Sequence, residues 1–61
     1  MHLNTVNETA GRLRLSQATI RKKIFLREIR FLKIGSRVLI PDETIEEILR
    51  QSIVEPRNKK S

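Results

Sequence analysis

Cysteine, tryptophan and tyrosine are absent from this 61-residue chain, and glycine, proline and phenylalanine occur twice each. Without cysteine there is neither a disulfide framework nor a thiolate metal site, so the fold must rest on packing alone. A reducing intracellular setting is in keeping with that composition. The two phenylalanines, Phe25 and Phe31, are too few for the stacking platform of a single-strand-binding protein. Both are expected to pack at a junction between a helix and a hairpin. No apolar run approaches the ~20 residues that a membrane span needs. The opening stretch "MHLNTVNETAG" lacks the charged-then-apolar pattern of a secretory signal, and a soluble cytoplasmic protein with no membrane partner is expected. His2 is the single histidine and has no companion ligands. There is no glycine-rich phosphate loop, no metal-ligand spacing and no poised acid–base pair, which argues against an enzyme. Accordingly no cofactor, metal or small-molecule substrate is expected. A chain of this length buries only about 60% of the surface its unfolded form exposes, so its core should be thin.

What the sequence does have is positive charge, unevenly placed. The formal net charge is +6. From Arg12 to Arg37 nine basic residues stand against Glu28 alone, a net of +8. From Val38 to Pro56 the balance reverses, with Asp42, Glu43, Glu46, Glu47 and Glu55 against Arg50. A basic section beside an acidic one gives the molecule a face whose summed field attracts a polyanion. Nucleic acid is the first such partner to consider; a merely solvated surface is the plainer alternative.

The order of elements can be read from caps and periods. In "TVNE", Thr5 is followed three residues later by Glu8, a capping-box pattern that opens a helix over about residues 6–13, with Val6, Ala10 and Leu13 on one face. Ser16 is placed to cap a second helix reaching Ile24 or Phe25, with Ile20 and Ile24 as its inward pair. In "EIRFLKIGSRVLIP" β-branched and aromatic residues surround Gly35 and Ser36, the pattern of a β-hairpin. A three-residue loop, Gly35 to Arg37, puts Leu32, Ile34, Val38 and Ile40 on one face and Lys33 and Leu39 on the other; a two-residue loop splits the apolar set, which a half-buried hairpin disfavours. The longer loop is therefore expected. Pro41 and Asp42 start a third helix with acids in its first turn and Ile45, Ile48, Leu49 and Ile53 on one stripe, and Pro56 ends it.

Helix, helix, β-hairpin, helix is the order of a small α+β winged helix-turn-helix domain, here over residues 1–56, followed by a disordered basic tail, residues 57–61. At 100° per residue, Ile20 and Ile24 point inward while Ala18, Thr19 and Lys22, flanked by Arg21, form the far side. That face suits the major groove. Gln17 and Arg21 can reach base edges, Lys22 bases or phosphate, and small Ala18 permits close approach. The hairpin tip, Ser36 and Arg37 with Lys33 behind, suits phosphates or the adjacent minor groove. Lys23 lies nearer the core flank, as a phosphate contact or a solvated charge.

Four stretches in this order, "TVNETA", "SQATI", "LKIG" and "LIPDETIEEIL", resemble the small excisionase-type winged-helix proteins. The likeness covers Thr5 to Leu49. It implies a phage or mobile-element recombination directionality factor, acting in a bacterial host cell. Such a factor binds repeated duplex-DNA sites beside an attachment site, bends the DNA and steers a partner integrase toward excision, with neighbouring copies of itself alongside. The resemblance places Ser16 to Lys22 on the recognition helix. Two departures stand out: where the family commonly has glycine after the first two helices, this chain has Arg14 and Arg27, and Lys23 takes a place often apolar. If the left-handed turns are kept, each arginine costs on the order of 1 kcal/mol, a trade of stability for charge near phosphates.

Ile53 and Val54 either cap the core or contact a second subunit or an integrase. The tail residues Arg57, Lys59 and Lys60 are solvated or clamp phosphate. Two other functions fit the same sequence: a transcriptional regulator of this fold, and, from a different class, a protein-interaction module such as an antitoxin. Steep salt dependence marks phosphate-dominated binding and separates it from an apolar protein interface.

Overall fold

In the computed structural model, which describes residues 2–56, the chain runs β1 (Leu3–Asn4), α1 (Val6–Leu13), α2 (Gln17–Phe25), β2 (Leu32–Ile34), β3 (Arg37–Pro41) and α3 (Asp42–Gln51). The expected tail, 57–61, lies outside the described residues. Three helices pack with a three-stranded antiparallel sheet of order β1-β3-β2, an α+β arrangement.

Both expected N-caps form. The Glu8 amide donates to Thr5 Oγ1 at 3.0 Å and the Thr5 amide donates to Glu8 Oε1 at 2.9 Å, closing the capping box of α1. The Thr19 amide donates to Ser16 Oγ at 3.1 Å and starts α2. Pro41 offers α3 no side-chain cap. Instead the Asp42 amide donates to the His2 carbonyl at 3.0 Å, so the segment leading into β1 satisfies an orphan donor of α3.

The helices α1 and α2 end in the same way. After α1, Arg14 takes the left-handed conformation at φ 57°, its amide donates to Gly11 and the Leu15 amide to Ala10. After α2, Arg27 does so at φ 59°, with its amide on Ile24 and the Glu28 amide on Lys23. Each is a Schellman closure, normally built on glycine. The two arginines therefore hold the strained turns rather than abolish them.

The core takes one buried apolar side chain from each of four elements: Ala10 of α1, Ile20 of α2, Ile40 of β3 and Ile45 of α3. Val6, Leu13, Ile24 and Phe31 pack against these. Buried Thr44 donates to the Arg30 carbonyl at 2.9 Å and so fixes the connector after α2 against α3.

Three features depart from the sequence reading. The two-residue strand β1 was not foreseen; its residues pair Leu3 with Pro41 and Asn4 with Ile40, a long-range partnership that leaves no periodicity to read. The hairpin loop has two residues, not three: Ile34 pairs with Arg37, Lys33 with Val38 and Leu32 with Leu39. Gly35, at φ 62°, supplies the positive φ that a tight turn asks of its first loop position. Lys33, Val38 and Ile40 consequently share the core side, while Leu32, Ile34, Arg37 and Leu39 share the other. The apolar set is split because only the base of the hairpin reaches the core; every residue of β2 is exposed, so burial does not dictate its register. Finally, α3 stops at Gln51, where Ser52 Oγ donates to the Ile48 carbonyl at 2.6 Å, well before Pro56. Ile53 thus lies beyond the helix and off its stripe.

One polar cluster ties these parts together. Asn4 is buried, and its Nδ2 donates to the Ile40 carbonyl and to Asp42 Oδ1, both at 2.9 Å. Arg12 donates to the same Asp42 oxygen at 2.6 Å and to Asn4 Oδ1 at 3.4 Å. The hydrogen bonds from Asn4 and then Arg12 hold the Asp42 carboxyl below its ordinary range, which burial only partly opposes. A carboxyl lowered in this way stabilises the fold fully above its unfolded-state pKa, and that contribution is lost as pH falls through the folded value. Asp42→Asn should therefore differ most in stability from the native protein at neutral pH, and the two should converge as pH drops below the ordinary aspartate range. Urea unfolding across that range checks it; a difference independent of pH would contradict the assignment.

Candidate nucleic-acid interface

The side of α2 away from the core gathers the residues singled out from the sequence. Ile20 is fully buried and Ile24 partly, whereas Gln17, Ala18, Arg21 and Lys22 are exposed. Thr19 is the exception: it is half-buried, and its hydroxyl lies 2.9 Å from Ser16 Oγ, so both hydroxyls serve the cap. Gln17 and Arg21 do not stand alone. Arg21 donates to Gln17 Oε1 at 3.2 Å, and Gln17 Nε2 donates to Asn7 Oδ1 at 3.1 Å. This relay from α1 holds the glutamine and orients the guanidinium one turn further along α2. Asn7 is a site residue that the sequence did not disclose, because its contact to Gln17 exists only once the two helices have crossed.

The hairpin brings a second set of cations. Ser36 sits exposed in the two-residue loop and Arg37 follows it at the start of β3. The observed register sends Arg37 to the same side as Leu32 and Ile34, and Lys33 to the opposite side beside Val38. The hairpin therefore carries one cation on each face. Both are exposed.

Electrostatics distinguish the basic residues from one another. Among the described residues, Arg12 is paired with Asp42, and Lys23 stands 3.9 Å from Glu28 Oε1. Arg14, Arg21, Lys22, Lys33 and Arg37 have no carboxylate at ion-pair distance among the described residues. Arg27 is turned over the Phe31 ring at 5.9 Å. Lys23 is half-buried, and its Glu28 pairing bridges the Schellman closure of α2, so its charge is partly spent within the fold. Arg14 is exposed in the turn between the two helices. α2 holds no acidic residue in its first turn.

Phe25 does not pack where the sequence placed it. Phe31 contacts the core as expected, but Phe25 is 82% exposed at the end of α2. The 100° step per residue accounts for this, since Phe25 falls one turn beyond Arg21 and about 140° round the helix from Ile20. Ile53 and Val54 are also exposed, at 63% and 90%, and do not cap the core.

Other chemistries find little to build on among the described residues. No group of three histidine, cysteine or carboxylate side chains comes together as a metal set, and no helix is long and apolar enough to cross a membrane. A broad hollow of about 690 Å³ lies between the connector and α3, with Arg27, Arg30 and Lys33 on one wall and Glu43 and Glu47 on the other. No family model, curated protein or solved structure matches the chain.

The left-handed arginine of the first turn carries a direct stability prediction. Replacing Arg14 by glycine relieves the backbone strain and should stabilise the fold by about 0.5–1 kcal/mol after the added flexibility of the unfolded chain is counted. That corresponds to a rise in Tm of a few degrees, roughly 2–8 °C. An unchanged or lower Tm would show that the guanidinium returns through its contacts what the backbone loses.

Proposed function

We propose that this chain is a small winged helix-turn-helix protein that binds and bends duplex DNA, in the manner of the excisionases that direct an integrase toward excision. The observation that carries the reading is the arc of exposed side chains on α2 whose cations have no carboxylate at ion-pair distance among the described residues, together with a hairpin whose Lys33, Ser36 and Arg37 are all exposed. In this reading α2 enters the major groove. Gln17 and Arg21, held by the relay from Asn7, meet base edges, and Ala18 allows the helix backbone to come close. Lys22 reaches a base or the near phosphate. Ser16 and Thr19 act through the cap, whose amide-rich helix start also favours phosphate. The hairpin is the wing: Arg37 and Ser36 at its tip and Lys33 on its other face straddle the backbone or the adjacent minor groove. Arg14 and, more weakly, Lys23 flank the strand.

The acidic residues support the same orientation. Asp42, Glu43, Glu46 and Glu47 all lie on α3, and α2, the helix proposed to meet the polyanion, carries no acidic residue. A domain this small offers a small interface, so binding is proposed to draw on several copies on adjacent sites and on a partner integrase. Ile53 and Val54 are apolar and exposed enough to serve such a protein contact.

The test is a gel-shift titration on DNA beside the chain's own coding region and the nearest integrase attachment site, with random duplex as competitor and permuted probes to report bending. Stepwise, bent, sequence-preferring complexes are expected. A single unbent complex at a promoter would contradict the excision role and point to a transcriptional regulator. Absence of preference over random duplex would contradict sequence recognition altogether. Within the same assay Arg21→Ala should relax sequence preference by about 1–3 kcal/mol. Arg37→Ala should instead weaken all duplexes about equally and lower the salt slope by about one. Equal loss of preference in both variants would remove this division of labour.

A further inference from the structure

The exposed ring of Phe25 calls for a partner. On the 100° wheel, Gln17, Ala18, Arg21, Lys22 and Phe25 fall within an arc of about 140°, and Phe25 lies near its centre, about 140° from Ile20 and about 100° from Ile24. The structure agrees with the wheel: these five side chains are all exposed, and the buried Ile20 and partly buried Ile24 lie outside the arc. Ala18 and Phe25 are two turns apart, about 10.5 Å along the axis, with Arg21 and Lys22 between them. The face is therefore apolar at each end and cationic in the middle.

Aromatic rings of this kind bring a large apolar area to a contact. Here the ring has neither the core nor the nearby guanidinium, which is over Phe31 instead. An apolar protein surface makes a poor occupant, since docking it on Phe25 would strip water from Arg21 and Lys22 without giving them anions. The major groove offers both partners at once. Phosphates and base acceptors suit the cations, and the thymine C5-methyl is the apolar group that base edges display there.

We propose that Phe25 is a specificity-determining residue of α2 that lays its ring on the C5-methyl of a thymine, about three base steps along the groove from the bases under Gln17 and Ala18. The inference rests on the reading of α2 as a recognition helix. It adds an apolar contact at the C-terminal end of a face otherwise defined by polar and charged groups.

The experiment starts with selection of the preferred duplex by the full chain from a random pool. Each thymine of that duplex is then replaced singly by deoxyuridine, which lacks only the methyl group, and the native protein, Phe25→Ala and Phe25→Leu are titrated on the whole set. One position is expected at which deoxyuridine weakens the native protein roughly three- to fivefold. On the unmodified duplex Phe25→Ala should show a loss of at least that size, with no further loss at that position, and Phe25→Leu should regain part of the methyl dependence. Because the ring is exposed, the unfolding temperature of Phe25→Ala should match that of the native protein, which separates a lost contact from a damaged fold. Two results would overturn the proposal: identical deoxyuridine losses in the native and alanine proteins, or alanine binding every duplex as the native protein does, as a protein-facing ring would predict. A native protein that selects no sequence from the pool would instead remove the recognition-helix reading, and this contact with it. That outcome is seen before any thymine is changed.

Discussion

A single buried amide, that of Asn4, joins four elements of the fold. It belongs to β1, donates to β3 at Ile40 and to α3 at Asp42, and accepts from Arg12 of α1. The apolar core beside it is thin, with one buried apolar residue from each of four elements. In such a domain an unsatisfied amide costs about 1–3 kcal/mol, a sizeable share of the 5–15 kcal/mol by which proteins are typically stable. The cluster also removes Arg12 and Asp42 from the pool of free charges. It sets the entry of α3 and, through the Leu3–Pro41 and Asn4–Ile40 pairs, anchors the base of β3 from which the hairpin projects.

That anchoring explains why the hairpin can be exposed. Its base is secured by Ile40 in the core and by β1 along one edge, so β2 needs no burial of its own. A projecting hairpin and a solvent-facing helix then present cations from two directions. The two left-handed arginines belong to the same economy of charge. Arg14 and Arg27 close helices at positions where glycine is less strained; Arg14 is exposed between α1 and α2, while the Arg27 guanidinium lies over the Phe31 ring. Fold stability is concentrated around the core and the Asn4 cluster, and basic charge is concentrated on α2, its flanking turns and the hairpin.

Much of this was legible in the sequence because its causes are local. Thr5 with Glu8, and Ser16 with Thr19, are caps that act within one helical turn, and both form as read. Ile20, Ile40 and Ile45 follow from periodicity, and the left-handed turns that the family resemblance implies after the first two helices are kept at Arg14 and Arg27. What escaped depends on partners distant in the chain. Strand β1 and the relay from Asn7 to Gln17 exist only after tertiary contacts form. The hairpin register is not legible for a different reason: alternation specifies register only where one face is buried, and the tip is exposed on both. Residue type alone suggests packing for Phe25, whereas its angular position on α2, one turn beyond Arg21, sets it about 140° from Ile20. The end of α3 falls short of the sequence stripe because no core remains for Ile53 to cover.

The account stands on the claim that α2 and the hairpin together form the surface that meets duplex DNA. The most direct test is a two-dimensional amide NMR titration of the labelled chain with short duplex at low salt, read residue by residue. The account predicts that the largest shifts fall on Gln17, Ala18, Arg21, Lys22, Ser36 and Arg37, while the amides of Glu43, Glu46 and Glu47 on α3 stay in place. Shifts concentrated on α3 or around Ile53 and Val54, with α2 unmoved, would contradict it.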